Sequence, residues 1–551
     1  MEAGVEEFDF IVIGGGPGGC VCASRLTEDT HVSAVLIESG PDRRGLLADQ
    51  PALGTLALMP RKSSNNWGLQ TESDPGLNNR SDYHSLGRGL GGGSSINTLM
   101  YMRGNRADYD EWDTLGNPGW SYSEVLPYFI KSENNQTHHD EFHGNAGPMW
   151  VEELRTDNPY HGLVKQACKE AGFPYNPDFN GADQEGYNST QVCMKNGVRW
   201  HVGKAYIHPY LDQRPNLTML VETDCTRILF EGKRAAGVEI VHRGIRRTLR
   251  CRKEVIVSGG GILSAKLLQL SGVGDASDLQ ALGIPVVHHL PAVGKHLQDH
   301  LDVVLGYHIP ADPHLLGISP KGIAALWKGV WRWKKEQRGL LATNFAELTG
   351  FTQLETGTRR PEIQYEFVIA LAMDHGRDVF FKHGMSVHVL LLNPKSTGTV
   401  TLASADYTVD PLVDFRYLSH PDDLPTFIKG IKASAAIMAT PTFKTRIKRD
   451  LFTTHCKTDA HWEQFVRNSG GTNYHPVGSC RMGPDASESV VDARLRIHGM
   501  QGIRVIDCSI MPRIVRGNTM APSVMIGEKG ADMIKQDWQS TQGRYSVEEK
   551  Q

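Results

Sequence analysis

Short apolar runs punctuated by glycine set the pattern of this chain. Phe8–Ile13 is a compact run rich in β-branched and aromatic residues. Glycines 14–16, 18 and 19 follow, and then apolar positions at Cys20, Ala23 and Leu26. The first run predicts a strand and the three-to-four-residue spacing predicts a helix. Val32–Ile37 predicts a second strand that ends on Glu38. Strand, helix and strand within about 30 residues make a βαβ unit, which predicts a parallel sheet in an α/β protein. The pattern returns at Glu254–Ser258, where Gly259–Gly261 turns a strand into a helix through Leu268. From Asn65 to Gly119, Gly, Asn and Asp predict a loop-dominated stretch, and the polar segment 132–148 reads as a surface excursion. After Pro291–His300 the pattern changes to an amphipathic helix, Lys321–Gln337, and then to strands at Ile363–Ile369, Met385–Leu392 and Gly398–Leu402. Gly502–Ile506 reads as a return to the first sheet, and Val524–Trp538 as a closing helix before a charged tail.

Composition narrows the class. The 551 residues suffice for three or four domain-sized units at most, and 40% apolar with 22% charged residues excludes wholesale disorder. With 58 basic and 62 acidic side chains, nothing calls for a nucleic-acid partner. Nine cysteines without a Cys-x-x-Cys pair fit neither a zinc site nor a disulfide framework, so buried reduced thiols are expected. Asn135, Asn188 and Asn216 head glycosylation sequons, but MEAGVEEFDF lacks the features of a secretory signal. No apolar run approaches 18 residues. A cytoplasmic protein is expected, peripheral to the inner face of a membrane at most.

The glycines carry the chemistry. In Gly14-x-Gly16-x-x-Gly19, Gly14 permits a tight turn, Gly16 lets a pyrophosphate approach the backbone, and Gly19 lets helix and strand pack closely. Glu38, at the end of the next strand, is placed to accept ribose hydroxyls. This predicts an adenine dinucleotide site without separating NAD from FAD. A second cluster, residues 87–97 (GRGLGGGSSIN), contains Arg88, Gly92, Ser95 and Asn97 and exposes successive amides with little bulk.

GRGLGGGSSINTLMYMRGNRADYD resembles the first signature of the glucose–methanol–choline (GMC) flavoprotein oxidoreductases. The resemblance continues at Ser271–Gly274, Gly294–His300, Asn473–Gly483 and Gly517–Pro522, in family order. It implies FAD as cofactor and a doubly wound, Rossmann-like FAD-binding domain with an inserted α+β substrate domain on an antiparallel sheet. The expected boundaries are 1–155, 216–305 and 469–541 for the FAD domain, 156–215 and 306–468 for the substrate domain, and 542–551 for the tail. Gly261 and Ala265 depart from the family's second signature. Ile96 stands where some members tether FAD through a histidine, so noncovalent FAD is expected.

The resemblance also points to His475 and Asn518 as the catalytic pair. An imidazole suits the general base that takes the hydroxyl proton of an alcohol, and an amide can hold the substrate oxygen. Trp67, Cys225 (through its backbone), Asp507 and Thr519 are implied as further FAD contacts. No metal site is expected: His138, His139, Asp140 and His143 read as a solvated loop, and His288 and His289 as sheet-end residues. Trp327, Trp331 and Trp333 sit among lysines, which fits either a packing helix or one lying on a membrane. The expected reaction is oxidation of a primary alcohol, aliphatic or aromatic, to the aldehyde, with oxygen or a quinone-type acceptor. The alternatives are a choline-like amino alcohol, for which Glu347 offers a carboxylate, and a hydroxynitrile lyase-like reaction.

Overall fold

Two seven-stranded sheets organise the molecule. The computed structural model describes residues 6–548, apart from 60, 318, 356, 374–377 and 380–381. In the first sheet the order is Leu217–Leu220, Ala34–Ile37, Glu6–Ile13, Ile245–Val257, Arg234–His242 and Thr223–Glu231, with Ile503–Val505 also paired to Ile245–Val257. The pairings among Leu217–Leu220, Ala34–Ile37, Glu6–Ile13, the end of Ile245–Val257 and Ile503–Val505 are parallel. The remaining two strands are antiparallel hairpin partners. The strand expected at Glu254–Ser258 is therefore the end of a thirteen-residue strand that serves both partners.

Burial explains the parallel part. Phe10–Ile13 and Ala34–Ile37 are buried throughout, as unbroken apolar runs must be when both faces of a sheet are covered. The helix Pro17–Leu26 packs against the closing helix, which runs from Met520 to Glu548 and so extends well past the expected end at Trp538. Arg25 ties the pair through Glu528, whose side chain is fully buried.

The second sheet is antiparallel, in the order Arg449–Asp450, Leu301–His308, Gly384–Leu391, Ile363–Val368, Ala346–Thr352 and Gly186–Ser189, with Gly471–Thr472 joined to Leu301–His308. Alternation along Ile363–Val368 divides its side chains between two environments. Ile363 and Tyr365 meet the helix Asp423–Met438 at Gly430, whereas Glu366 and Val368 face a cavity.

The segment 132–148 is only in part a surface excursion: Gln136, Thr137 and His139–Glu141 are exposed, but other residues turn inward. Glu133–Asn135 forms a short parallel strand against Met149–Glu153, and the Glu133 side chain is fully buried with Arg103 at 2.6 Å. His143, expected in a solvated loop, is fully buried as well, with Nδ1 3.1 Å from Glu133 and Nε2 2.8 Å from Asp178. Burial opposes its charge, but the two carboxylates outweigh burial and lift its pKa to about 9. The charged side chains of Glu133 and His143 are buried because they pair with each other, Arg103 and Asp178, which composition alone does not reveal.

Candidate active site

A cavity of about 560 Å³ runs from the carboxyl ends of the first sheet's parallel strands to the face of the second sheet. One end is built of glycine turns. Gly16, Gly93 and Gly260 line it, and a Cβ at any of them would meet no atom within 4 Å, so the space belongs to a ligand rather than to packing. Gly19 is the opposite case. A Cβ there would lie 1.9 Å from the Gly14 carbonyl oxygen, and Gly19 does not line the cavity.

Glu38 lines the same end and holds its loops together. Its carboxylate accepts backbone N–H groups from Gly15 (2.7 Å), Gly40 (2.8 Å) and Gly89 (2.8 Å), one from each adjoining turn. Burial raises its pKa against the pull of these three donors. Asp507 plays a similar part at the second strand–helix turn, accepting from Gly260 N–H (2.8 Å), Ser264 Oγ (2.6 Å) and Ser509 N–H (2.7 Å). The departure from the family signature at Gly261 has a local reason, since a Cβ there would sit 2.0 Å from the Pro476 carbonyl oxygen, beside His475.

Gly14, Gly92, Asn97, Cys225 and Thr519 also line the cavity, as does Trp67. Arg88 stands behind Trp67, its guanidinium 4.4 Å from the ring centroid and 3.5 Å from Asp224. Ser95 is off the wall, its hydroxyl donating to the Gly92 carbonyl, and Ser94 lines the cavity in its place.

The other end gathers the titratable groups. Asn518 Nδ2 lies 3.3 Å from His475 Nε2 and 3.4 Å from Glu366 Oε1, and Asn518 Oδ1 accepts from Gln364 Nε2 at 3.2 Å. His475 Nδ1 is 3.0 Å from His300 Nδ1. Burial drives the pKa of His475 down to about 4 and that of His300 well below its ordinary value, so both rings are neutral. Two facing Nδ1 atoms can bond only if one carries hydrogen. The Asn518 amide donates to His475 Nε2, which assigns the hydrogen of His475 to Nδ1 and leaves Nε2 a bare base facing the cavity.

Asp299 locks this arrangement. One carboxylate oxygen accepts the backbone N–H groups of His475 (2.7 Å) and His300 (2.9 Å), and the other accepts the hydroxyls of Tyr417 and Thr472. Burial pushes its pKa up to about 7 against those four donors. Beside Asn518, Glu366 and His388 are cross-strand partners. His388 Nδ1 lies 2.6 Å from Asp302, and although burial opposes the charge, Asp302 and Glu366 raise its pKa. Burial pushes Glu366 up to about 7.

Glu366, His388, Gln364, His300, Asp299 and Asp302 were not singled out as site residues from the sequence. A signal existed for three of them. Gln364, Glu366 and His388 interrupt otherwise apolar strands, and an ionisable or amide group in a fully buried strand needs a partner or a function. Glu347, by contrast, turns away from the cavity. It sits at a register shift in its strand, with Oε2 2.7 Å from His161 and 3.2 Å from Thr156.

Comparison with known proteins agrees with this architecture. Models of the GMC oxidoreductase family match residues 8–302 and 394–527. The chain is 39% identical over 534 residues to an "Alcohol dehydrogenase [acceptor]" of Pseudomonas putida, covering 96% of this chain and 95% of that protein. It is 39% identical over 544 residues to the mitochondrial choline dehydrogenase of Mus musculus, covering 97% and 90%. Among solved structures, an FAD-dependent oxidoreductase from Chaetomium thermophilum superimposes with a TM-score of 0.86 at 26% identity, covering 97% of this chain and 100% of that one.

Proposed function

Since the chain belongs to the GMC oxidoreductase family, we propose that it is an FAD-dependent oxidoreductase that converts a neutral primary alcohol to its aldehyde, with His475 as base. The observation that carries this reading is the bare Nε2 of a neutral His475 beside the Asn518 amide. The cavity suits FAD: the space beside Gly16, Gly93 and Gly260 admits a pyrophosphate against backbone, and Glu38 retains acceptor capacity for ribose hydroxyls. Gly14, Trp67, Gly92, Asn97, Cys225, Asp507 and Thr519 would hold the rest, with Arg88, Ser95 and Gly19 supporting the loops from behind. With Ile96 in the Gly-rich loop, the cofactor is held noncovalently.

When bound, FAD supplies the acceptor for the hydride leaving the carbinol carbon. The protein's part is proton chemistry and orientation. The substrate hydroxyl enters between Asn518 and His475, accepts from Asn518 Nδ2 and donates to His475 Nε2. As the C–H bond breaks, the hydroxyl proton passes to Nε2, and the aldehyde oxygen stays on the Asn518 amide. Gln364 fixes the orientation of that amide, since its own N–H group occupies Asn518 Oδ1. His475, Asn518 and Gln364 are buried, and the low local dielectric strengthens each of these bonds.

Leu316, Phe345, Val368 and Leu371 line the substrate end, which favours an apolar chain or ring. Glu366 supports a second reading, a cationic amino alcohol such as choline, because it is a carboxyl group on the same wall. The deciding experiment is anaerobic mixing of the yellow holoprotein with 1-alkanols, benzyl alcohols and choline, followed by air. Bleaching by neutral alcohols supports the first reading, and bleaching by choline alone replaces it with the second. No bleaching, together with cyanohydrin cleavage, overturns both. Rapid recolouring in air identifies oxygen as acceptor, and slow recolouring a dehydrogenase that needs a separate carrier.

A further inference from the structure

The helix Pro320–Glu336 and the helix Pro51–Leu58 share one side and expose another. Ala52 of the shorter helix and Trp333 of the longer are buried in one apolar cluster with Leu341 and Phe345. Their outer faces remain uncovered: Leu53 and Leu56 on one, Ile323, Trp327 and Trp331 on the other, with Leu46 in the turn before. Trp327 is 73% exposed and Trp331 62%, the highest values among the exposed large apolar side chains of the described residues. Scattered exposed leucines are ordinary, but two tryptophans and four aliphatic side chains on adjoining elements are not.

The spacing of 323, 327 and 331 puts these residues in one stripe along the helix, beside the stripe of Leu326, Val330 and Trp333 that packs inward. A basic flank completes the helix. Lys321, Lys328, Arg332 and Lys335 share that side, with Lys334 near the end of the helix and Glu336 its single acid. Arg332 is paired with Asp157 and Glu336, and the lysines leave the helix basic although the chain as a whole is net negative. Lys335 lies 4.9 Å from the Trp331 ring centroid, so its charge stays at the edge of the apolar stripe. Tryptophan beside lysine on a half-buried amphipathic helix matches the boundary between acyl chains and anionic headgroups.

The same two helices border the cavity. Leu56 and Leu326 both line it, and Leu56 is 53% exposed, so the cavity reaches the surface within this patch. We propose that this face docks on an anionic lipid bilayer, and that an apolar alcohol passes from the bilayer into the cavity between the two helices. The docking itself stands on the surface alone. Only the entry route rests on the alcohol reading above.

The experiment is flotation of the FAD-loaded protein with vesicles of phosphatidylcholine containing phosphatidylglycerol, and with vesicles of phosphatidylcholine alone. Binding to the anionic vesicles is expected, weakening with salt and with a blue shift of indole fluorescence. The variant W327S/W331S should lose at least tenfold in vesicle affinity, and K328Q/K335Q about fivefold per charge removed. Both should keep wild-type turnover of a short, water-soluble alcohol, because none of these side chains lines the cavity. Absence of flotation with anionic vesicles, or unchanged binding by W327S/W331S, overturns the proposal. Concentration-dependent self-association that this variant abolishes, without vesicle binding, overturns it in favour of a second copy of the chain. If vesicles bind but no alcohol bleaches the flavin, the docking holds and the alcohol reading fails.

Discussion

The assignment of His475 as a bare base depends on one neighbour, and that dependence can be measured. His300 Nδ1, 3.0 Å away, is the acceptor that keeps the hydrogen of His475 on Nδ1. In His300→Phe a ring of similar breadth remains and the acceptor disappears. The buried Nδ1–H is then unsatisfied, at a cost of about 1–3 kcal/mol. The imidazole can escape that cost by moving its hydrogen to Nε2, where it opposes the Asn518 amide and cannot take a proton. A bias of about 1.4 kcal/mol toward that tautomer leaves roughly a tenth of the enzyme competent, and one of about 2.8 kcal/mol a hundredth. The rate of anaerobic flavin reduction should fall roughly 10–100-fold, while KM for the alcohol changes little. His300→Gln restores an acceptor through its amide oxygen and should recover part of the rate. Both variants must be yellow, which separates the effect from loss of cofactor. A His300→Phe enzyme that keeps its flavin and reduces it within twofold of wild type would refute the tautomer argument. His300 is thus a positioning residue, and His475→Ala should cost more, about 10²–10⁴-fold with FAD retained.

Other outcomes follow from the same geometry. The acid limb of the reduction rate should lie near pH 4, where His475 protonates and can no longer accept, and a second inflection near pH 7 should vanish in Glu366→Gln. Gly16→Val should fold with a near-normal melting temperature but emerge colourless, since its side chain enters the ligand space. Gly19→Ala should instead destabilise the apoprotein by about 1–3 kcal/mol in chemical denaturation, because its Cβ meets the Gly14 carbonyl. The folded pKa of His143 is raised to about 9, so its contribution to stability is complete below about pH 6.5 and is lost as pH rises through 9. Denaturation midpoints of wild type should fall over that range, and those of His143→Gln should not.

What the sequence determined is the part of the molecule whose contacts are local. Phe8–Ile13, the glycine turn, the helix to Leu26 and the strand ending at Glu38 form one continuous unit, and its period, its glycines and its terminal acid can be read in order along the chain. The proposal of His475 and Asn518 as the catalytic pair has a different ground: each lies within a long motif that resembles the family's, and the two meet at the cavity. The tertiary structure decided everything that depends on partners distant in the chain. Glu366 and His388 look alike as ionisable residues in largely apolar strands, and only the sheet register sets them opposite each other on the cavity wall. Glu347 has the same appearance, but a register shift turns it to His161. His143 reads as solvated until Glu133, itself paired with Arg103, and the distant Asp178 close on its two ring nitrogens. The tautomer of His475 depends on His300, 175 residues earlier. Period and propensity act over a few residues, whereas the charge state of a buried group is set by whatever neighbours folding brings to it.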